Sequence, residues 1–452
     1  MQSSSPSFRV DPVVAYNPAS PKGESKVNNS FVKRYIKSIV RRAAKYAGNG
    51  CALQQTTWGG YTRDALRLAN KIDCLPEQLL KPQQHPERVA VHVKDRICNW
   101  YLPRFANPFY GGIMTILRLA DYLQRCHGIK QRILICGNSE SDEVSANIIR
   151  AFPALSKAEV IILNTGKSLI EIPPADYSVA TLWSTAYVLL GVENTGYKFY
   201  MIQDFEPAFY PAGSTYAQAE LSYYFGFYGI ANTQSLKEIY ERDYGGCAVL
   251  LRPSIDKTVF YPSSEEKAAV PKRLFYYGRP GTPRNGFELA AVALRRLKQQ
   301  YGNSIDIICA GARWNPADYN LNGVVRSLGM LPYPATGDLY RSCHLGLVMM
   351  MTKHPSYLPF ELMASGAIVV TNFNQANTWL LKDGENCLIS APSASCLAVR
   401  LSYGLDHYDE LASLRQRAAN QILADAGDWD TSLGEVAKFI LEPPPFISSN
   451  PF

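Results

Sequence analysis

Two successive series of short apolar runs, each alternating with segments of helical periodicity, restrict this chain to a parallel α/β architecture. In the first series, residues 97–102, 132–136, 160–163, 178–182 and 199–203 have the length and composition of buried strands, and 113–125 carries apolar residues at helical spacing. In the second, 274–277, 306–310, 345–350 and 368–371 supply strands, and helical patterns cover 287–299, 393–423 and 432–441. Strands that alternate with helices pair in parallel, and the helices then cover both faces of the sheet. A chain of 452 residues exceeds what one core usually holds, and a hydrophobic content of 47% is enough for two. The expected division is 1–90 as a tail and linker, 91–255 and 256–430 as two sheet domains, and 431–452 as a final helix and tail. Residues 252–262 read as the connection between the domains.

Chemistry concentrates between Arg273 and Thr371. A short apolar strand ends there in Gly278 and Arg279, and Arg284, Asn285 and Gly286 follow just before a helical pattern. Both guanidiniums therefore sit at the carboxyl edge of a strand, where an open α/β sheet holds its ligands. Their forked donors match phosphate oxygens in geometry and in charge. Further on, Ser356 can cap a helix, Pro359 fits its first turn, Gly366 ends it, and 367–371 continues as a buried strand. Free amides at such a helix start favour an anion, and Glu361, one turn in, can accept from sugar hydroxyls. The pattern predicts a diphosphate clamp beside a nucleoside-binding helix, against the plainer reading of solvated loop charges.

The amino half adds four segments in order. They are Asn99 to Pro103, then Phe109, Gly111, Gly112 and Ile113 leading into a helix, then Thr181, Trp183 and Ala186, then Met201 through Asp204 and Glu206 to Pro211. With the Gly-Arg turn and the Glu361 segment, this set resembles the GT-B glycosyltransferases of family-4 type, and within them the WsaF-type rhamnosyltransferases, over residues 95–440. The resemblance implies two Rossmann-like domains facing each other across a cleft. It also implies sugar transfer from a nucleoside-diphosphate donor, thymidine-diphosphate L-rhamnose, to a hydroxyl of a glycan or lipid-linked glycan, with retention and without a metal or other cofactor. Arg284 stands where that family usually has lysine, and Glu361 matches the second glutamate of its E-x7-E segment, which binds ribose hydroxyls. Lys353 departs from the pattern by replacing the first glutamate. Gly278, Arg279 and Arg284 would meet the diphosphate, and Gly111 and Gly112, which lack a Cβ, would let backbone approach it from the opposite domain. Met330, in the loop 329–333, would touch the base, while His354, Tyr357 and Leu358 would position phosphate and sugar.

Asp204 and Glu206 follow an apolar strand and read as cleft carboxylates that orient hydroxyls or accept the acceptor's proton. A rival reading makes them a D-x-D metal site. Two arginines already supply positive charge, and Asp428 with Asp430 matches the same pattern by chance, so the metal reading is the weaker. Ser432 and Glu435 form a capping-box pattern that makes those later aspartates helix-entry residues. Trp183, Tyr210 and Tyr216 could stack on sugars, although aromatic residues at 12% of the chain favour core packing. Other donor nucleotides fit the same clamp, and the altered Lys353 position leaves open a membrane-associated scaffold that has lost its chemistry. A nicotinamide-dependent oxidoreductase is disfavoured because no Gly-x-Gly-x-x-Gly with a following acid occurs. Residues 1–30 have the composition of a disordered tail. Residues 31–47 form a basic amphipathic helical pattern with no acid, suited to an anionic membrane surface. Ten cysteines without a C-x-x-C pair, no signal peptide and no spanning apolar run fit a cytoplasmic protein, peripheral at the inner membrane face. A net charge of +7 gives no case for nucleic acid.

Overall fold

A computed structural model of the chain describes residues 58–105, 108–109, 111–137, 139–163, 172–263, 267, 270–425 and 429–445. The basic segment 31–47 and the tail 1–30 lie outside the described residues. The first sheet contains β1 (Ile97–Pro103), β2 (Lys130–Cys136), β3 (Glu159–Leu163), β4 (Ala175–Ala180), β5 (Thr195–Ile202), β6 (Tyr228–Ala231) and β7 (Cys247–Leu250). They pair in parallel in the order β3-β2-β1-β4-β5-β6-β7, with Trp100 opposite Ile133 and Tyr101 opposite Ala180. The second sheet contains β8 (Lys272–Tyr277), β9 (Ile305–Ala310), β10 (Arg326–Ser327), β11 (Leu345–Val348), β12 (Ile368–Asn372) and β13 (Leu388–Ser390). Its order is β10-β9-β8-β11-β12-β13, again parallel.

Both orders reverse direction once, between β1 and β4 in the first sheet and between β8 and β11 in the second. At such a switch the connections leave toward opposite faces, which opens a crevice beyond the strand ends. The loops after β1 and β8 lead to Gly111 and to Gly278 and Arg279, and the segment after β11 carries Thr352 through Glu361. Topology therefore delivers the sequence-marked residues to the two places where a parallel sheet can take a ligand.

Each domain has its own core. Trp100, Leu102, Ile133, Ile135, Val179 and Phe199 are buried under helix Gly111–His127, and Leu433, Val436, Ala437 and Ile440 of helix Trp429–Leu441 complete that same cluster. The last helix thus returns from the second domain to the first. It starts at Trp429, so Ser432 lies within the helix, where its Oγ donates to the Arg252 carbonyl at 3.0 Å, and the expected capping box is not formed. The second core joins Leu274, Leu347, Ile368 and Val370 to helix Phe287–Tyr301. The single helical pattern expected over 393–423 is two helices, Ala394–Asp406 and Ala412–Asp425. Part of the expected linker is bound to the first domain: His85 N–H donates to the Gly196 carbonyl at 2.7 Å, and the Gln84 amide bonds the backbone of both Lys198 and Gly226. Among the described residues, no helix is long and apolar enough to cross a membrane.

Candidate active site

The two switch points face one another across a cavity of about 190 Å³. Gly111, Met114, Thr115 and Arg118 line it from the first domain, and Tyr277, Gly311, Met330, Tyr333, Tyr357, Leu358 and Glu361 from the second. Trp429, at the start of the returning helix, closes another side. Five of the sequence-marked residues, Gly111, Met330, Tyr357, Leu358 and Glu361, are therefore brought to one space.

Glu361 lies in a short helix, Leu358–Ala364, with Pro359 in its first turn. Tyr357 rather than Ser356 is the residue before that helix, and no side chain caps it. Ser356 instead adopts a φ of 68°, and its Oγ lies 3.5 Å from the Leu358 amide. Such a left-handed conformation is costly for a residue with a side chain and is kept only where the surroundings enforce it. Burial pushes the Glu361 carboxyl up to about 8. Among the described residues it has no hydrogen-bonding or ionic partner. A carboxyl facing a cavity without a partner retains its full capacity for ligand hydroxyls.

The two arginines stand beside the cavity rather than on its wall. Arg279 Nη1 donates at 3.3 Å to the hydroxyl of Tyr277, which does line the cavity. Arg284 lies over the Phe209 ring at 4.4 Å, and its Nε is 3.9 Å from Asp204 Oδ2, an ion pair too long to be a hydrogen bond. Burial pushes this guanidinium down, the carboxylate of Asp204 pulls it back up, and neighbouring Arg279 lowers it again. Two cations, of which Arg279 lowers the proton affinity of Arg284, suit an anion between them. Gly278 is required for a different reason. A Cβ there would collide with Cys309 and Trp314, and its carbonyl accepts from Trp314 Nε1 at 2.9 Å.

Asp204 and Glu206 have separate fates. Thr352 Oγ1, from the second domain, donates to Asp204 Oδ2 at 2.7 Å, and the Phe205 amide donates to Oδ1 at 2.8 Å. Burial raises this carboxyl to about 6, against the lowering effect of Thr352 and Arg284. Asp204 is thus a contact between domains, between Arg284 and Thr352. The structure does not bring Glu206 to the cleft: it is 3% exposed, and its Oε2 accepts from the Trp183 amide at 2.5 Å and from Tyr200 Oη at 2.9 Å. The chain leaves β5 at Ile202 and enters a tight turn over Glu206–Phe209, which swings the carboxylate inward to the start of helix Trp183–Leu190. Trp183 is itself core, donating to Tyr210 Oη at 3.0 Å, and Tyr216 pairs with Glu220.

His354 is also buried. Its Nδ1 accepts from the Ser356 amide at 2.9 Å, its Nε2 is 3.4 Å from Asn232 Nδ2 of the first domain, and burial with the Arg284 charge pushes it down to about 3. It is therefore a neutral imidazole held between the two domains. Tyr357 Oη donates to Asn232 Oδ1 at 3.1 Å and lies 3.3 Å from Thr115 Oγ1, which makes a second polar seam between domains. A Cβ on Gly112 would lie 3.4 Å from the Gln203 amide, and one on Gly111 would lie 3.7 Å from Tyr357, so both leave the helix start open to the cleft. Lys353 is exposed.

The model described as "WsaF, N-terminal domain" matches residues 102–235, and that described as "WsaF, C-terminal domain" matches 272–402. The chain belongs to the WsaF family. Among curated proteins, an O-antigen biosynthesis protein RfbC of Myxococcus xanthus is 38% identical over 375 residues, which is 82% of this chain and 29% of that relative. This WsaF-family chain thus spans less than a third of the length of the curated relative it matches. Among solved structures, sucrose-phosphate synthase from Thermosynechococcus elongatus superposes with a TM-score of 0.60 at 14% identity, covering 76% of this chain and 98% of its own. HepE from Anabaena, in complex with UDP and glucose, gives 0.59 at 15%, covering 76% and 99%. The fold of this WsaF-family member is GT-B, with two parallel-sheet domains across a cleft.

The matched regions contain Arg279, Arg284 and the Glu361 helix but stop short of Trp429. Two wall residues, Arg118 and Trp429, were not expected at the site from the sequence, whereas Tyr333 belongs to the loop 329–333 expected against the base. A signal for the first was present: Gly111, Met114, Thr115 and Arg118 follow the i, i+3, i+4, i+7 pattern of one helix face. Trp429 gave none, because nothing local places a residue of the last helix beside residues some three hundred positions earlier.

Proposed function

We propose that this chain is a glycosyltransferase that moves a sugar from a nucleoside-diphosphate donor to a hydroxyl of a growing cell-surface glycan, with thymidine-diphosphate L-rhamnose as the donor. The observation that carries this reading is the unpartnered Glu361 carboxyl in the interdomain cavity together with two electrostatically coupled guanidiniums, Arg279 and Arg284, the first of them bonded to the cavity residue Tyr277. Family membership and the relative's place in O-antigen biosynthesis support the glycan acceptor. The nucleoside would occupy the cavity, with Met330 and Leu331 against its base and Glu361 on its sugar hydroxyls. The diphosphate would extend toward Arg279 and Arg284, and the acceptor would enter from the first-domain side.

Sugar transfer breaks the bond between the anomeric carbon and the diphosphate, whose oxygen leaves with the electron pair and takes up the proton of the acceptor hydroxyl as that hydroxyl's oxygen bonds to the anomeric carbon. Fixed cations that meet this developing charge lower the barrier without reorganising during the step. Arg279 and Arg284 fill that role, the first held by Tyr277 and the second by Asp204 and Phe209. The start of helix Gly111–His127 adds a positive end from the opposite domain. No side chain is assigned as a nucleophile, and retention of configuration follows the family reading.

Incubation with an O-antigen-type acceptor and a panel of thymidine-, uridine- and guanosine-diphosphate sugars, read by mass analysis, tests the proposal. Transfer of rhamnose from its thymidine nucleotide is expected to exceed the others. HepE has been solved with UDP-glucose, so a preference for the uridine nucleotide is the outcome that would replace the donor while keeping the reaction. Absence of transfer from every donor would remove the reading. Arg279→Ala should lower transfer by about 100-fold or more with an unchanged melting temperature, and a loss under about threefold would exclude Arg279 from the clamp.

A further inference from the structure

The cavity carries a pair of unsatisfied donors that the reading above leaves unused. Arg118 Nε and Trp429 Nε1 are both buried without a hydrogen-bond partner, and both residues line the cavity. The Arg118 guanidinium lies over the Trp429 ring at 4.6 Å and, among the described residues, has no carboxylate partner. A guanidinium stays charged at any physiological pH, and a buried donor without an acceptor is costly, so each needs an oxygen or ring nitrogen from elsewhere. The opposite wall holds the reverse deficit, the Glu361 carboxyl without a donor. A ligand that satisfies both walls presents acceptors at one end and hydroxyls at the other.

We propose that Arg118 and Trp429 together read the acceptor edge of the donor nucleotide's base while Glu361 holds its sugar. This inference rests on the nucleoside-diphosphate reading above and assigns a specificity role to two residues outside the clamp. Three observations favour a base over a phosphate at this position. The surrounding wall is aromatic, with Tyr277, Tyr333, Tyr340 and Tyr357, which suits a flat ring. The paired cations suited to a diphosphate, Arg279 and Arg284, lie off the cavity wall. The volume of about 190 Å³ is below that of a pocket able to enclose a whole nucleotide-sugar, so one portion of the donor fills it.

The reader also joins the two domains' ends: Arg118 stands on the first-domain helix Gly111–His127 and Trp429 opens the last helix of the chain. Base recognition would thereby be shared between the second domain, through Met330 and Leu331, and a wall assembled on the first. Losing a hydrogen bond from a charged donor to a ligand weakens binding about tenfold or more.

Calorimetry on the full chain separates the possibilities, using thymidine diphosphate, uridine diphosphate and inorganic pyrophosphate as titrants. Arg118→Gln should weaken both nucleoside diphosphates by about tenfold or more and leave pyrophosphate within about twofold. Trp429→Phe, which keeps an aromatic ring and removes the indole donor, should weaken the nucleoside diphosphates by a smaller factor with the same sparing of pyrophosphate. Arg118→Lys, which keeps the charge, should recover part of the loss. Equal losses for pyrophosphate and nucleotides would make Arg118 a phosphate ligand and overturn the assignment. Parent-like nucleotide binding by both variants would overturn it as well, while sparing the functional reading. Failure of the parent chain to bind either nucleoside diphosphate would overturn both. A melting temperature for each variant identifies any loss that comes from unfolding, and in that case Arg118→Lys decides by the same criteria.

Discussion

Glu206 shows how far a residue's neighbours decide its chemistry. Burial raises its carboxyl to about 8, against the lowering effect of the Trp183 amide and the Tyr200 hydroxyl. An acid whose folded value lies above its ordinary one binds protons more tightly when folded. Its contribution to stability is therefore complete below the ordinary value near 4.5 and is lost as pH rises toward 8. Glu206→Gln mimics the protonated form, so its stability relative to the parent should rise between pH 5 and 8, by at most about 1.4 kcal/mol per pH unit. Denaturant titrations of both chains at several pH values check this, and taking the difference cancels the titration of groups that do not interact with Glu206, such as His354 and Glu361. A flat difference would mean that Glu206 is ionised in the fold. From the sequence, two carboxylates after an apolar strand were visible, but their directions were not. The turn that begins at Glu206 separates them, sending one to Thr352 across the cleft and the other beneath helix Trp183–Leu190. The positions of Arg279, Arg284 and Glu361 were legible because they lie between a strand and the next helix or in the first turn of a helix, positions that local pattern fixes.

Among elements, long apolar runs were the most legible. The strand expected at 97–102 is Ile97–Pro103, and that expected at 306–310 is Ile305–Ala310. β6 and β7 were not anticipated, being four residues each in a region where tyrosine, glycine and cysteine dilute the apolar signal. The helical pattern over 393–423 concealed a break because the polar turn around residues 407–411 retains apolar Tyr408 and Leu411 at compatible spacing, and Tyr408 is buried against the second core. Helix Trp429–Leu441 was visible as an element, while its destination in the first-domain core carried no local signal. Ile440 is fully buried in that core. Ile440→Ala should destabilise the first domain by about 2–5 kcal/mol through lost burial and the cavity left behind. Urea unfolding followed by a first-domain probe reads the loss, and a change under about 1 kcal/mol would show that the helix end is loosely seated.

At the scale of the molecule, the cleft is bridged by a few polar contacts: Thr352 to Asp204, Tyr357 to Asn232, and Ser235 Oγ to the Ala376 carbonyl at 2.7 Å. Thr352→Val retains shape and removes one of these donors, leaving a buried carboxylate with fewer partners, which is unfavourable. The ligand-free variant should have a larger radius of gyration by X-ray scattering than the parent, and a nucleoside diphosphate should restore the compact form. An identical scattering curve would mean that the seam does not hold the cleft. Two parallel sheets and their division were legible because alternation is a local property repeated many times. The seam was not, since each contact joins residues more than a hundred positions apart. The final helix adds a constraint on assembly. A polypeptide cut near residue 253 would yield an amino fragment missing one wall of its own interior and a carboxyl fragment trailing that wall unattached, two pieces shaped to reassociate rather than to persist apart.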